Sequence, residues 1–272
     1  MAAVISTESA LNAAAGRTAE LLRSGLNPDA RVPGLSWSAA ETAAHLVADL
    51  REHTALATGE HRPSAPASGD GQNAAERGNA ANRAQLEAFS ERDLKVLAGQ
   101  VEDAAATLNV ALARLPSDEP FPTANGVPMT PPTLRSICLG EQLIHGLDLA
   151  RTAGRPWPID RSDALDVIPG MMAIAPEYVD RGATNGLHIQ YELRFGPGDR
   201  YRFAVDGSEV DIHLANGKDD RPDCVISADP VAFLLVGYGR VGQWSQILKG
   251  KLRAGGRRPW LAMRFASLLI RP

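Results

Sequence analysis

Three side chains able to ligate metals or move protons stand close together in "GEQLIHGLDLA", residues 140 to 150: Glu141, His145 and Asp148. The segment is otherwise apolar and helix-forming. Residues four apart on a helix share one face a single turn apart, so Glu141 and His145 form a preorganised pair, and Asp148 extends the stripe. Imidazole plus carboxylate suits Zn²⁺, Fe²⁺, Mn²⁺ or Ni²⁺, provided another helix supplies a third ligand and one position stays open. His45, in "AAHLVA", is the candidate third ligand, because a ring in that apolar setting needs a partner for its nitrogens. Asp49, one turn on, reads either as that partner or as a group behind the ligand. A plainer reading stays open, in which His45, Glu141 and His145 hydrogen-bond one another without metal. His53, His61, His188 and His213 lie in polar contexts and read as structural. Cys138 and Cys224 are far apart and form no CxxC pair, so they read as two buried reduced thiols.

Helices must position these groups. "TESALNAAAGRTAELLRS" has apolar residues at helical spacing, and "LSWSAAETAAHLVADLREH" opens with Ser38 and Glu41 at capping-box spacing, which starts a second helix near Ser38. Residues 59 to 82 are rich in Gly, Pro, Ser and Asn and read as a surface loop, with a lid over the site as the alternative. Residues 83 to 115 predict the longest helix, and a fourth begins after Pro132 and stops at "GRPWP". Four helices with short connections fit a four-helix bundle.

The second half changes character. "LHIQYELRFG", "RYRFAVDG" and "SEVDIHLANG" alternate polar and apolar residues and end in turns, as meander strands do. "SADPVAFLLVGYGR" predicts a strand end and then a helix with Asp229 as N-cap and Pro230 in its first turn, and "PWLAMRFASLLI" predicts a terminal amphipathic helix. The chain of 272 residues therefore divides into an all-α domain, 1–158, and a small α+β domain, 165–272. A net charge of −4 offers no basic field for nucleic acid or an anionic membrane. The N-terminus lacks a signal-peptide pattern and no stretch is long and apolar enough to span a bilayer, so a soluble cytoplasmic protein is expected. P-loop and GxSxG motifs are absent.

"SWSAAETAAHLVADL", followed by "LRSICLGEQLIHGLDLARTAGRPWPI", resembles the N-terminal domain of the mycothiol-dependent maleylpyruvate isomerases, a branch of the DinB-like metal-binding bundles. Residues 187 to 271 look like the sterol-carrier-protein-like domain that follows the bundle in that family. The resemblance implies a divalent metal, zinc first with nickel, iron or manganese as alternatives, held by His45, Glu141 and His145. It also implies a functional Asp at position 148 and an Arg contributed by the C-terminal domain, for which Arg240 is the first choice and Arg253 the second.

The expected function is a metal- and mycothiol-dependent isomerase or S-transferase for a small electrophile, in an actinobacterial setting, as monomer or homodimer. The alternative is a carrier enclosing an apolar ligand in the C-terminal domain, in a tunnel lined by Val225, Phe233, Leu234 and Leu261.

Overall fold

The computed structural model describes residues 6–61, 73–123, 126–196, 200–207, 209–216 and 221–270. Two compact units make up the chain, Met1–Ile159 and Asp160–Pro272. Among the described residues no helix is long and apolar enough to cross a membrane.

The first unit holds α1 (Thr7–Arg23), α2 (Ala39–Thr58), α3 (Ala74–Ala88), α4 (Leu94–Leu112) and α5 (Pro131–Thr152). Helices α1 and α2 each pack against both α4 and α5, which closes a four-membered bundle, and α3 lies on α2. Leu11, Leu46, Leu50, Leu97, Leu108, Leu134, Leu139 and Leu143 are fully buried between them. Each such side chain contributes about 1.5–3 kcal/mol of transfer free energy. The capping box predicted at the start of α2 is present: the Ser38 hydroxyl accepts from the Glu41 amide at 3.2 Å and the Ser38 amide donates to the Glu41 carboxylate at 2.7 Å.

The long helix predicted over 83–115 is two helices. Helix α3 starts at Ala74, inside the stretch read as a loop, on a second capping box in which Asn73 and Glu76 exchange hydrogen bonds of 2.9 Å. It stops at Ala88 because Arg92 ties off its end, donating to the carbonyls of Leu86 and Phe89, and because Asp93 then caps α4 through the amides of Lys95 and Val96. The longest helix is α5, with 22 residues. Residues 62–72 of the expected loop, and with them the idea of a lid, lie outside the described residues.

The chain beyond α5 folds back along it. Trp157 donates its indole N–H to the Leu143 carbonyl at 3.0 Å, with the Arg17 guanidinium 4.2 Å above its ring. Gly146 is required at this contact, since a Cβ there would come within 2.1 Å of the Trp157 ring.

The second unit opens with α6 (Arg161–Ile174), in a stretch read as an interdomain boundary, and continues through a 3₁₀ turn and α7 (Arg181–Thr184) into a five-stranded mixed sheet. Its strands are β1 (His188–Arg194), β2 (Arg200–Asp206), β3 (Glu209–Leu214), β4 (Cys224–Ala228) and β5 (Leu252–Gly255), in the order β3-β2-β1-β4-β5. All neighbours are antiparallel except β1 and β4. Between β4 and β5 run α8 (Pro230–Gly237) and α9 (Gln243–Leu248). Asp229 caps α8 as expected, accepting from the Ala232 amide at 3.0 Å. The predicted terminal helix is instead a broken run, 3₁₀ turns flanking the single-turn α10 (Ala262–Phe265).

One face of the sheet presents Tyr191, Leu193, Tyr201, Phe203 and Ile226 to α6 and the C-terminal run, with the Phe265 ring 5.2 Å from Tyr191 and 5.1 Å from Phe203. Phe233 and Leu261 pack against this core, whereas Val225 alternates to the opposite face from Cys224 and Ile226. The four residues proposed to line one apolar tunnel therefore do not share a surface.

Candidate metal centre

Helix α2 begins at the Ser38 cap, which fixes the rotation of its first turns and carries His45 into the bundle, 2% exposed. Opposite it α5 places Glu141 and His145 on one face, one turn apart. Trp37, just before the cap, packs its half-buried ring against both imidazoles, with centroids 4.9 Å from His45 and 6.1 Å from His145.

The His145 Nε2 and the His45 Nε2 lie 3.3 and 3.7 Å from the same Oε2 of Glu141. Good N–H···O hydrogen bonds span about 2.7–3.2 Å, so these separations are long. Neither ring nitrogen of His45 has a hydrogen-bond partner, although both are buried. Orphaned polar atoms in an apolar bundle cost free energy that a ligand recovers. A tetrahedral zinc with nitrogen and oxygen ligands at about 2.0–2.1 Å holds its ligand atoms about 3.3 Å apart. The donor set and its spacing thus fit a divalent ion better than they fit a hydrogen-bonded triad.

Burial pushes the Glu141 carboxyl up, but His145 and His45 against it outweigh that and hold it far below the usual carboxylate range. For His145, burial lowers the pKa while Asp148 and Glu141 raise it, to about 9. Asp148 is buried on the other side of the His145 ring, its Oδ2 3.3 Å from Nδ1 without the alignment of a hydrogen bond. It stands where a carboxylate orients a metal-ligating imidazole.

His45, Glu141, His145 and Asp148 therefore converge. Arg240 and Arg253 belong to the second unit: Arg240 follows α8 and donates to the Tyr238 carbonyl at 2.7 Å, and Arg253 lies on β5 and donates to the Gly250 carbonyl at 3.1 Å. Asp49 pairs with His53, at 3.4 Å, rather than with His45.

Sequence reasoning missed two buried polar residues, while a third, Cys138, is a buried free thiol as expected. His53, read as structural and polar, is buried on α2, and Cys138 is fully buried on α5 near it. A signal was available, since His45, Asp49 and His53 repeat every four residues and Cys138 stands three before Glu141. In the second unit Arg202 is 3% exposed, with Nη2 3.5 Å from Glu192 and with Nε and Nη1 lacking partners. Strand alternation put it on a solvent face, and nothing in its neighbourhood announced its burial.

The crystal structure of the mycothiol-dependent maleylpyruvate isomerase superposes with a TM-score of 0.53 at 16% identity, covering 92% of this chain and 91% of that one. A histidine-to-alanine mutant of the same enzyme gives 0.51, with the same identity and coverage. These likenesses establish a common fold, a helical N-terminal region followed by a mixed-sheet domain. No curated protein matches by sequence. The family model described as "Mycothiol maleylpyruvate isomerase N-terminal domain" matches residues 10–150, more than half of the chain and the whole of α2 and nearly all of α5, and the chain belongs to that family.

Proposed function

We propose that this protein is a metal- and thiol-dependent enzyme acting on a small electrophile, with maleylpyruvate-like cis-enedioates as the substrate class and isomerisation as the reaction. The observation that carries the reading is the convergence of His45, Glu141 and His145 with both His45 nitrogens unpartnered. The DinB-like and sterol-carrier-like descriptions of the two units belong to the same reading.

His45, Glu141 and His145 would hold the ion, zinc being the first choice for this ligand set. Such an ion, when bound, supplies the positive charge that keeps a thiol ionised at neutral pH. One carboxylate against a divalent charge leaves the site one unit positive, so it favours an anionic partner such as the thiolate of mycothiol. Asp148 fixes the His145 ring so that Nε2 faces the site, which makes it a positioning residue. Trp37 walls the two imidazoles and limits water there.

In the isomerisation the thiolate sulfur adds to one alkene carbon of the substrate, forming a C–S bond as the alkene π pair moves onto the conjugated carbonyl to give an enolate. Rotation about the resulting single bond follows, and the enolate pair then re-forms the alkene as the C–S bond breaks, releasing the trans isomer and the thiolate unchanged. A guanidinium holding a substrate carboxylate would keep the ends of the molecule in place during rotation. Arg240 is the first candidate for that role and Arg253 the second, both on the resemblance. An S-transferase would use the same residues but consume the thiol.

Two measurements test the reading. Metal content of protein purified without added metal is expected near one ion or more per chain in the wild type, with a full equivalent lost in both His145→Ala and Glu141→Ala. Incubation with mycothiol and maleylpyruvate is then expected to yield trans product with the thiol recovered. Thiol consumed one for one with substrate would move the assignment to transferase, and absence of loadable metal would sink it.

A further inference from the structure

We infer that the seam between α2 and α5 carries a second metal site, made by Asp49, His53 and Cys138 and separate from the one at His45, Glu141 and His145. The three residues each offer a ligand atom within 4.8 Å of the other two. Asp49 and His53 sit one turn apart on α2, at positions that continue the stripe begun by His45, and Cys138 sits one turn before Glu141 on α5. The order of the pairs, His45 beside Glu141 and His145 and then His53 beside Cys138, shows the helices running antiparallel.

Three observations point to a ligand rather than to a self-satisfied cluster. The His53 Nδ1 is buried and has no hydrogen-bond partner, in a residue 7% exposed. Its separation from Asp49 Oδ1 is 3.4 Å, long for a hydrogen bond and close to the roughly 3.3 Å edge of a tetrahedral zinc site with nitrogen and oxygen ligands. Cys138 is a fully buried free thiol beside the His53 imidazole, and its sulfur is within reach of the same point as the Asp49 carboxylate. One soft sulfur, one imidazole and one carboxylate form a ligand set for Zn²⁺.

Charge separates the two sites. At His45, Glu141 and His145 a divalent ion retains one positive unit. At Asp49, His53 and Cys138 the carboxylate and the thiolate balance the ion completely once the thiol proton has gone to solvent, so the second site suits a charge-neutral ion that joins α2 to α5 with its fourth position open. With about 1.5 Å of rise per residue, the two sets lie roughly 8 Å apart along the seam, too far for one bridging ligand to serve both.

Cobalt titration of the chelator-stripped, full-length protein tests this directly, because only a site containing Cys gives an intense thiolate-to-cobalt charge-transfer band. Wild type should take two equivalents of Co²⁺, one of them raising that band in the near ultraviolet. Cys138→Ser should lose the band and one equivalent, His145→Ala should keep the band while losing the other, and Cys224→Ser should keep both. A wild-type titration without a charge-transfer band overturns the proposal, as does a band that survives Cys138→Ser. His53→Ala provides a second removal should the serine variant misfold, with loss of the band expected and its retention counting against the site. Failure of the first site would appear differently, as loss of the thiolate-free equivalent alone.

Discussion

His145 stands between two carboxylates, Glu141 toward Nε2 and Asp148 toward Nδ1, each 3.3 Å away. In metal-free protein the ring keeps its proton up to about pH 9, and an ion must displace it. Apparent metal affinity should therefore rise as pH is raised toward 9 and level off above it, which competition with a chromophoric chelator at fixed total metal will show. The sign for the apo fold is opposite. A raised imidazole pKa lends stability that is complete below the unfolded value of about 6.5 and is lost as pH rises through 9. Asp148→Asn should weaken metal binding by about 10–100-fold while leaving the ligands in place, as removal of a ligand-orienting carboxylate does. The Glu141 and His145 pairing was legible because helical periodicity alone puts the fourth neighbour on the same face. His53 was not, because its flanking residues look like a solvated helix end. In the structure α3 lies against that half of α2, with Gln85 hydrogen-bonded to Glu52 and the Arg51 guanidinium 5.4 Å above the Phe89 ring.

At the scale of elements, α5 is fixed along its length by contacts that tolerate little change. Gly146→Ala forces the Trp157 ring away from α5 and strains its bond to the Leu143 carbonyl. Overpacking of this kind costs about 1–3 kcal/mol, read as a lowered urea midpoint with an unchanged slope. Asn73→Ala removes the cap of α3 and should cost about 1 kcal/mol, with hydrogen exchange accelerating in α3 before anywhere else in the bundle. Helix starts proved readable where the cap stands beside an apolar stripe, as Ser38 and Asp229 do. The Asn73 box escaped notice inside a stretch whose Gly, Pro and Ser content dominates any composition window. The break at 89–93 escaped for the converse reason: apolar spacing continues across it, and only the Arg92 bonds back to α3 and the Asp93 cap onto α4 reveal the interruption.

For the whole molecule, both candidate ion sites belong to one of two compact units, which makes a calorimetric prediction. Ligand at a hundred times its Kd stabilises the folded state by about 2.7 kcal/mol, and only the unit that binds it gains. Thermal scans should resolve two transitions, of which chelator lowers one and leaves the other in place; a single transition shifted as a whole would show that the units melt together. The alternation of the strands made the sheet domain legible from "LHIQYELRFG" onward, because one buried face imposes a period of two. Helix α6 went unread in the sequence, and it carries Pro169 in its interior, a residue type that usually breaks a helix.

The half-buried indole of Trp37 packs beside both imidazoles of the bundle site. Protonated imidazole quenches a neighbouring excited indole, and an ion that displaces the proton removes the quencher. The protein thus carries its own optical gauge of site occupancy: emission at fixed pH should brighten as Zn²⁺ is added, and the change should vanish in Trp37→Phe while the three remaining tryptophans keep shining.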